Sequence, residues 1–247
     1  MGTGVGAGEE AGAVLARVEQ WLAAGGAVAL ATVVRPARVE PSPHPQRPEH
    51  LEPRPAGTVL ALGPRGEVAG ALPCRCAQPA ALELARRVLA GAAPVLRRCS
   101  GACARRPPCA VGPEVFVERV DRSNANLVRS AAASVRAGEA VAVATVVAAP
   151  DPAALGRHLL LWPARRAGSL GPAELDDAVA RAARELLRAG TSGAVRVSGA
   201  VEVFVAAHPH RALPRAVPAA TTATTTTAGT AATTTAGTAA TTAAAPV

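Results

Sequence analysis

AVALATVV, residues 27–34, and AVAVATVV, residues 140–147, are two spellings of one strand. Neither run alternates apolar with polar residues, a pattern that suits a strand covered on both faces. Each follows an amphipathic helix that ends at a glycine. Before the first run, Val14, Leu15, Val18, Trp21 and Leu22 share a helical face, and Gly25 can take the left-handed cap. Before the second, Leu127, Val128, Ala131 and Val135 do the same ahead of Gly138, with Ser123 or Asn124 as N-cap. Downstream the parallel continues in order. Ala69-Gly70-Ala71-Leu72 matches Ala167-Gly168-Ser169-Leu170, and Pro79 and Pro172 stand where helices can begin. Those helices carry Leu84, Val88 and Leu89 in one copy and Leu175, Val179, Leu186 and Leu187 in the other, stopping at Gly91 and Gly190. Glu114-Val115-Phe116-Val117 then matches Glu202-Val203-Phe204-Val205. Four matches in one order establish an internal duplication.

The fold class that follows is α/β: two tandem copies of a helix–strand unit forming a mixed sheet flanked by helices, packed together as a pseudo-dimer. The closing strands PEVFVERV and AVEVFVAA alternate, which puts Val115, Val117, Val203 and Val205 on one side. Phe116 and Phe204 point to the other side, where the sequence offers them no obvious partner. The division is a flexible N-terminus over 1–10, a first repeat over 11–120, a second, shorter repeat over 121–207 and a tail over 208–247. From about Pro218 the tail is almost wholly Ala and Thr, without the large apolar side chains that offset the entropy of ordering, and disorder is expected there.

Composition narrows the function classes. All 26 basic residues are Arg, the net charge is +8, and aromatic residues make up 2% of the chain. The arginines are scattered and few rings are present to stack on bases, so a solvated basic surface is favoured over nucleic-acid binding. The apolar stretch from Leu22 to Val34 is shorter than the roughly 20 residues that span a bilayer. The acidic N-terminus lacks the basic region of a secretory signal, and the expected location is the cytoplasm. Five cysteines, an odd number, then read as thiols or ligands rather than disulfides.

The copies differ where chemistry would be expected. The first has a Pro- and His-rich insertion from Arg35 to about Pro55 and holds all five cysteines: Cys74, Cys76, Cys99, Cys103 and Cys109. Cys99 and Cys103 have a spacing that zinc could use, but Cys74 and Cys76 are too close for a typical second pair, and unligated thiols are the simpler reading. His44 and His50 lie among prolines and read as exposed, and His158 reads equally well as structural. There is no G-x-S-x-G elbow, no phosphate loop ending in Gly-Lys-Ser/Thr and no H-E-x-x-H helix, and the absence of lysine excludes Schiff-base chemistry. Asp176 and Asp177 sit in the first turn of a helix, where carboxylates complement its dipole without any active site, and Glu174 reads the same way.

The ordered motifs of the first copy resemble the XdhC/CoxI family, accessory proteins that mature molybdenum hydroxylases of the xanthine dehydrogenase and carbon monoxide dehydrogenase type. The family's A-T-V-V strand is matched at Ala31 to Val34, and its first loop ends at Arg54-Pro55-Ala56-Gly57. Its glycine–cysteine motif corresponds to Gly70 through Gln78, with Cys76 at the cysteine, and its C-G-G-x-x-E-V-F-V-E ending to Cys109 through Glu118. The resemblance implies a non-catalytic role in binding the molybdenum cofactor and delivering it to the target enzyme. Cys76, Cys109, Arg54, Gly57 and Gly70 are the implied cofactor-binding residues, with no metal site and no catalytic residue. The implied partners are a molybdenum hydroxylase subunit and a cysteine desulfurase, with neither nucleic acid nor membrane, and a homodimer is compatible. The chain departs from the family at Pro73, Cys74, Arg75, Gln78, Ala110 and Val111. Those departures support an alternative: a diverged scaffold or interaction protein that kept the fold and lost cofactor binding.

Overall fold

The computed structural model describes residues 7–37, 56–72, 77–99, 112–197 and 200–210. In the first copy, helix α1 (Ala7–Ala23) precedes strands β1 (Val28–Arg35), β2 (Val59–Leu62) and β3 (Val68–Gly70). Helix α2 (Gln78–Leu89) and strands β4 (Val95–Arg98) and β5 (Glu114–Val120) follow. The second copy repeats this order with α3 (Ala125–Arg136), β6 (Val141–Ala148), β7 (His158–Leu161), β8 (Arg166–Gly168), α4 (Ala173–Ala189), β9 (Gly193–Val197) and β10 (Val201–His208). The duplication extends to strand order, β3-β2-β1-β5-β4 in one sheet and β8-β7-β6-β10-β9 in the other.

The mixed sheet expected from sequence is instead two sheets, each antiparallel throughout. The reason is that β1 and β5, like β6 and β10, run side by side in opposite directions after a helical excursion. The long apolar strands sit at the centre, buried on both faces, as their lack of alternation requires.

On the outer face of the first sheet, Ala29, Ala31, Val33, Leu60, Val115 and Val117 pack under Ala81, Ala85 and Val88 of α2. On the outer face of the second, Ala142, Ala144, Val146, Leu159, Val203 and Val205 pack under Val179, Ala183 and Leu187 of α4. The helices begin and end as the punctuation suggests. Pro79 lies in the first turn of α2, Pro172 caps α4, and Gly190 takes the left-handed conformation at φ 67° beyond it.

The inner faces turn toward each other. At one end they meet directly, Val34 and Phe116 against Val147 and Phe204, so the two phenylalanines find their partners in the other copy. At the other end α1 covers Val28, Leu30 and Val120, while α3 covers Val141 and Leu160. Those two helices pack on each other and wedge the sheets apart. An arginine bridges the two copies at the closed end. Arg35 on β1 pairs with Glu114 of its own copy and with Glu202 of the other. Arg98 adds a 2.7 Å contact to Glu114. Burial pushes the Glu114 carboxyl up, but Arg98 and Arg35 outweigh it and hold the group below its ordinary range.

Gly70 and Gly168 occupy matching places at the ends of β3 and β8, with φ 80° and 87°. A Cβ on Gly70 would lie 2.4 Å from the Val59 carbonyl oxygen and 2.8 Å from Val14, and one on Gly168 would lie 2.4 Å from the His158 carbonyl oxygen. By contrast Gly66, at φ 88°, has nothing within 4 Å of that position. Gly66→Ala should therefore cost only the left-handed backbone penalty of about 1 kcal/mol. Gly70→Ala, which adds a collision with backbone, should cost at least about 3 kcal/mol. Chemical denaturation of the two variants checks this difference; equal losses would remove the packing role assigned to Gly70.

Candidate functional site

Where the α1–α3 wedge gives way to direct contact between the sheets, the inner faces leave a cavity of about 80 Å³. Small residues help to leave it open: Ala11 on α1, Ala131 on α3 and Ala206 on β10 line it where larger side chains would fill it. Leu30, Val34, Val59, Phe116, Val143 and Leu160 supply much of an otherwise apolar wall.

One part of that wall is polar. On β5, alternation turns Phe116 and Glu118 inward, and Glu118 crosses to the second copy. There its Oε2 lies 2.9 Å from Nε2 of His158, with the two side chains only 7% and 6% exposed. The contact is one of charge rather than of an aligned hydrogen bond, so both atoms keep unsatisfied bonding capacity. On its other side the His158 ring meets the hydroxyl of Thr145, with 3.0 Å between Nδ1 and Oγ1. The backbone makes room for the carboxylate: Gly156, at φ 75°, would place a Cβ 3.3 Å from Glu118 Oε2.

The duplication identifies the counterpart of this arrangement. Gly57 and Gly156 make the same backbone bond, to the Val33 and Val146 carbonyls respectively. By strand register Val59 stands opposite Thr32 as His158 stands opposite Thr145. Alignment of EVFVE with EVFVA sets Ala206 opposite Glu118. The counterpart of the charged pair is thus a valine and an alanine. One side of the pseudo-two-fold is ionic, the other apolar.

Burial works against a charged His158 ring, but the adjacent Glu118 carboxylate outweighs it and raises the imidazole pKa above its ordinary value. His208, which lines the cavity from β10, has no such effect in its favour, and burial pushes its pKa down.

Of the residues implied by the family resemblance, Cys76, Cys109 and Arg54 lie outside the described residues, as do Cys74, Cys103, His44 and His50. Gly57 and Gly70 are described. Gly57 packs against Ser192 and Phe204 of the second copy, and Gly70 against Val59 and Val14 of its own. At both positions a side chain would meet protein atoms. The cavity is also too small and too apolar for a pterin. At the end of the glycine–cysteine motif, Gln78 Oε1 accepts a hydrogen bond from Leu72 N at 3.3 Å. Asp176 Oδ1 accepts the equivalent one from Leu170 N at 2.7 Å. Gln78 and Asp176 thus serve as matching acceptors in the two copies, and Asp176 has a buried structural partner beyond its place in the helix dipole. Cys99 is buried in the first outer core, a free thiol whose pKa burial raises, which makes it unreactive. Among the described residues no three His, Cys, Asp or Glu side chains converge as a metal site. No described helix is long and apolar enough to cross a membrane.

Sequence reasoning leaves Glu118 and His158 unpaired, because 40 residues and a repeat boundary separate them. The available signal was the inward alternation shared by Phe116 and Glu118, together with the register of His158 beside Thr145.

A His158 pKa raised on folding stabilises the protein fully below the unfolded value of about 6.5 and ceases to do so as pH rises through the folded value. NMR titration should find the ring still charged above about pH 6.5. In Glu118→Gln, burial acts alone and the pKa should fall below that reference. Because the ring can then discharge, the stability loss should stay under the about 3–5 kcal/mol typical of a broken buried pair. An unchanged His158 titration in Glu118→Gln would contradict this assignment.

No curated protein sequence matches the chain. A solved structure of a xanthine dehydrogenase from Bacillus halodurans is similar at 14% identity with a TM-score of 0.49, over 80% of this chain. The chain spans about half of that protein, 53% of its length. The family described as XdhC and CoxI matches residues 134–198, from the end of α3 through β9. The family's match thus falls on the second copy, the one with the same fold as the copy whose motifs resemble it, and it is residues 134–198 that carry the signature of the XdhC and CoxI family.

Proposed function

We propose that this protein serves the maturation of molybdenum hydroxylases, of the xanthine dehydrogenase or carbon monoxide dehydrogenase type, as an accessory protein rather than a catalyst. The observation that supports this reading is the XdhC and CoxI family match over residues 134–198. Proteins of that family act as accessories, and the motifs of the first copy resemble them independently of the matched segment.

On this reading the molybdenum cofactor is held at the cysteine-bearing loops of the first copy. Cys76 and Cys109 would offer thiolates, soft donors suited to molybdenum and to sulfur transfer. The Arg54 guanidinium would pair with the cofactor's phosphate. The target subunit and a cysteine desulfurase are the partners such a role requires, and the cytoplasm is where it would be performed.

A second reading has a specific observation in its favour. Gly57 and Gly70 are occupied by contacts within the protein, which suits a scaffold that binds a hydroxylase subunit without carrying the cofactor.

Purification from a cofactor-producing host, followed by molybdenum and pterin analysis and capture of a purified hydroxylase subunit, separates the readings. The accessory role predicts capture by wild type and by Cys76→Ser, with pterin greatly reduced in the variant. Equal pterin in both would remove Cys76 from the site. Capture with no pterin in either would select the scaffold, and no capture by either would contradict the maturation role.

A further inference from the structure

The buried polar group between the copies is independent of the cysteine loops and of the role assigned to them. Glu118 comes from one sheet, His158 and Thr145 from the other, and all three line the same cavity. Glu118 Oε2 and His158 Nε2 face each other at 2.9 Å as an ion pair without an aligned hydrogen bond, and both side chains are more than nine-tenths buried. Buried atoms that are paired in charge but keep hydrogen-bonding capacity, and that face a cavity, are suited to a polar guest.

The chemistry of the wall specifies that ligand. The carboxylate and the imidazolium have opposite charges, so an ionic guest would leave one charge uncompensated in an apolar interior, and a neutral guest is favoured. The carboxylate oxygen accepts and the Nε2–H donates, so the guest's polar group must do both; a hydroxyl does. Beside this pair the wall is apolar, with Leu30, Val143 and Phe116 available to an alkyl body. At about 80 Å³ the cavity is smaller than the roughly 150 Å³ space that admits benzene in an apolar protein core, which limits the guest to a few carbons.

We infer that this cavity is a binding site for a small neutral alcohol of about three or four carbons, its hydroxyl donating to Glu118 and accepting from His158. The counterpart positions, Val59 and Ala206, offer no such pair.

Isopropanol and acetone are the probes, titrated into the whole chain while the methyl signals of Leu30, Val143 and Leu160 are followed by NMR. Acetone has the same shape and can accept from His158, but it cannot donate to Glu118. Isopropanol should produce saturable shifts and bind about tenfold or more tightly than acetone, as loss of one hydrogen bond to a charged group implies. Glu118→Gln, which replaces the charged acceptor by a weaker neutral one, should narrow the difference between the two probes. Ala206→Val, which places two methyl groups in the cavity, should abolish saturable isopropanol binding while leaving the His158 titration unchanged. That titration shows the variant folded, so this arm holds even if Glu118→Gln does not fold. Shifts that grow without saturation, equal affinity of wild type for both probes, or isopropanol binding that survives Ala206→Val would each overturn the assignment.

Discussion

A five-stranded sheet whose central strands are apolar on both faces must have both faces covered, and neither copy of this protein can do that for itself. Helices α2 and α4 cover the outer faces. Only part of each inner face is covered by α1 or α3, and the remainder presents Val34 and Phe116 in one copy and Val147 and Phe204 in the other. Those four side chains are buried because the copies face each other. The arrangement follows the general behaviour of repeats that cannot bury a hydrophobic face alone. It also produces the cavity, since a helix pair wedged in at one end and direct sheet contact at the other cannot both be filled by the same short side chains.

Within that near-symmetric interior, the departures from symmetry are polar. Arg35 stands where the second copy has Ala148, and it serves a glutamate in each copy. Glu118 and His158 stand where the other side has Ala206 and Val59. A buried ion pair adds little net stability against an apolar replacement of the same shape. Its effect here is selective: Glu118 is satisfied electrostatically only by a second copy that carries His158, and therefore not by another first copy. The same pair supplies the polar part of an otherwise hydrocarbon wall.

Much of this was legible in the sequence, for identifiable reasons. Helical periodicity located α1 and α3 from Val14, Val18 and Trp21 and from Val128 and Ala131. Unalternating runs marked β1 and β6 as central strands, and the order of the four matches revealed the duplication. Two antiparallel sheets in place of one mixed sheet were not legible, because the β1–β5 and β6–β10 pairings join segments about 80 and 60 residues apart through register, which local pattern does not encode. For the same reason Phe116 and Phe204 had no visible partners until the copies were opposed. Glu118 was visible as the end of a motif and His158 as a lone histidine, and only the pseudo-two-fold brings them together. The asymmetry of the cysteines directs attention to the first copy, whereas the polar site among the described residues draws on both.

The central claim is that the copies share one interior and therefore form one cooperative unit. Native-state hydrogen exchange at increasing denaturant tests it directly, with the amides of Val33 and Val117 reporting on the first sheet and those of Val146 and Val205 on the second. Mutual burial predicts that all four merge into a single opening reaction with the same free energy and the same denaturant dependence. If one sheet opened at lower free energy, with a smaller denaturant slope, while the other stayed protected, the copies would be independent domains and the account would fail.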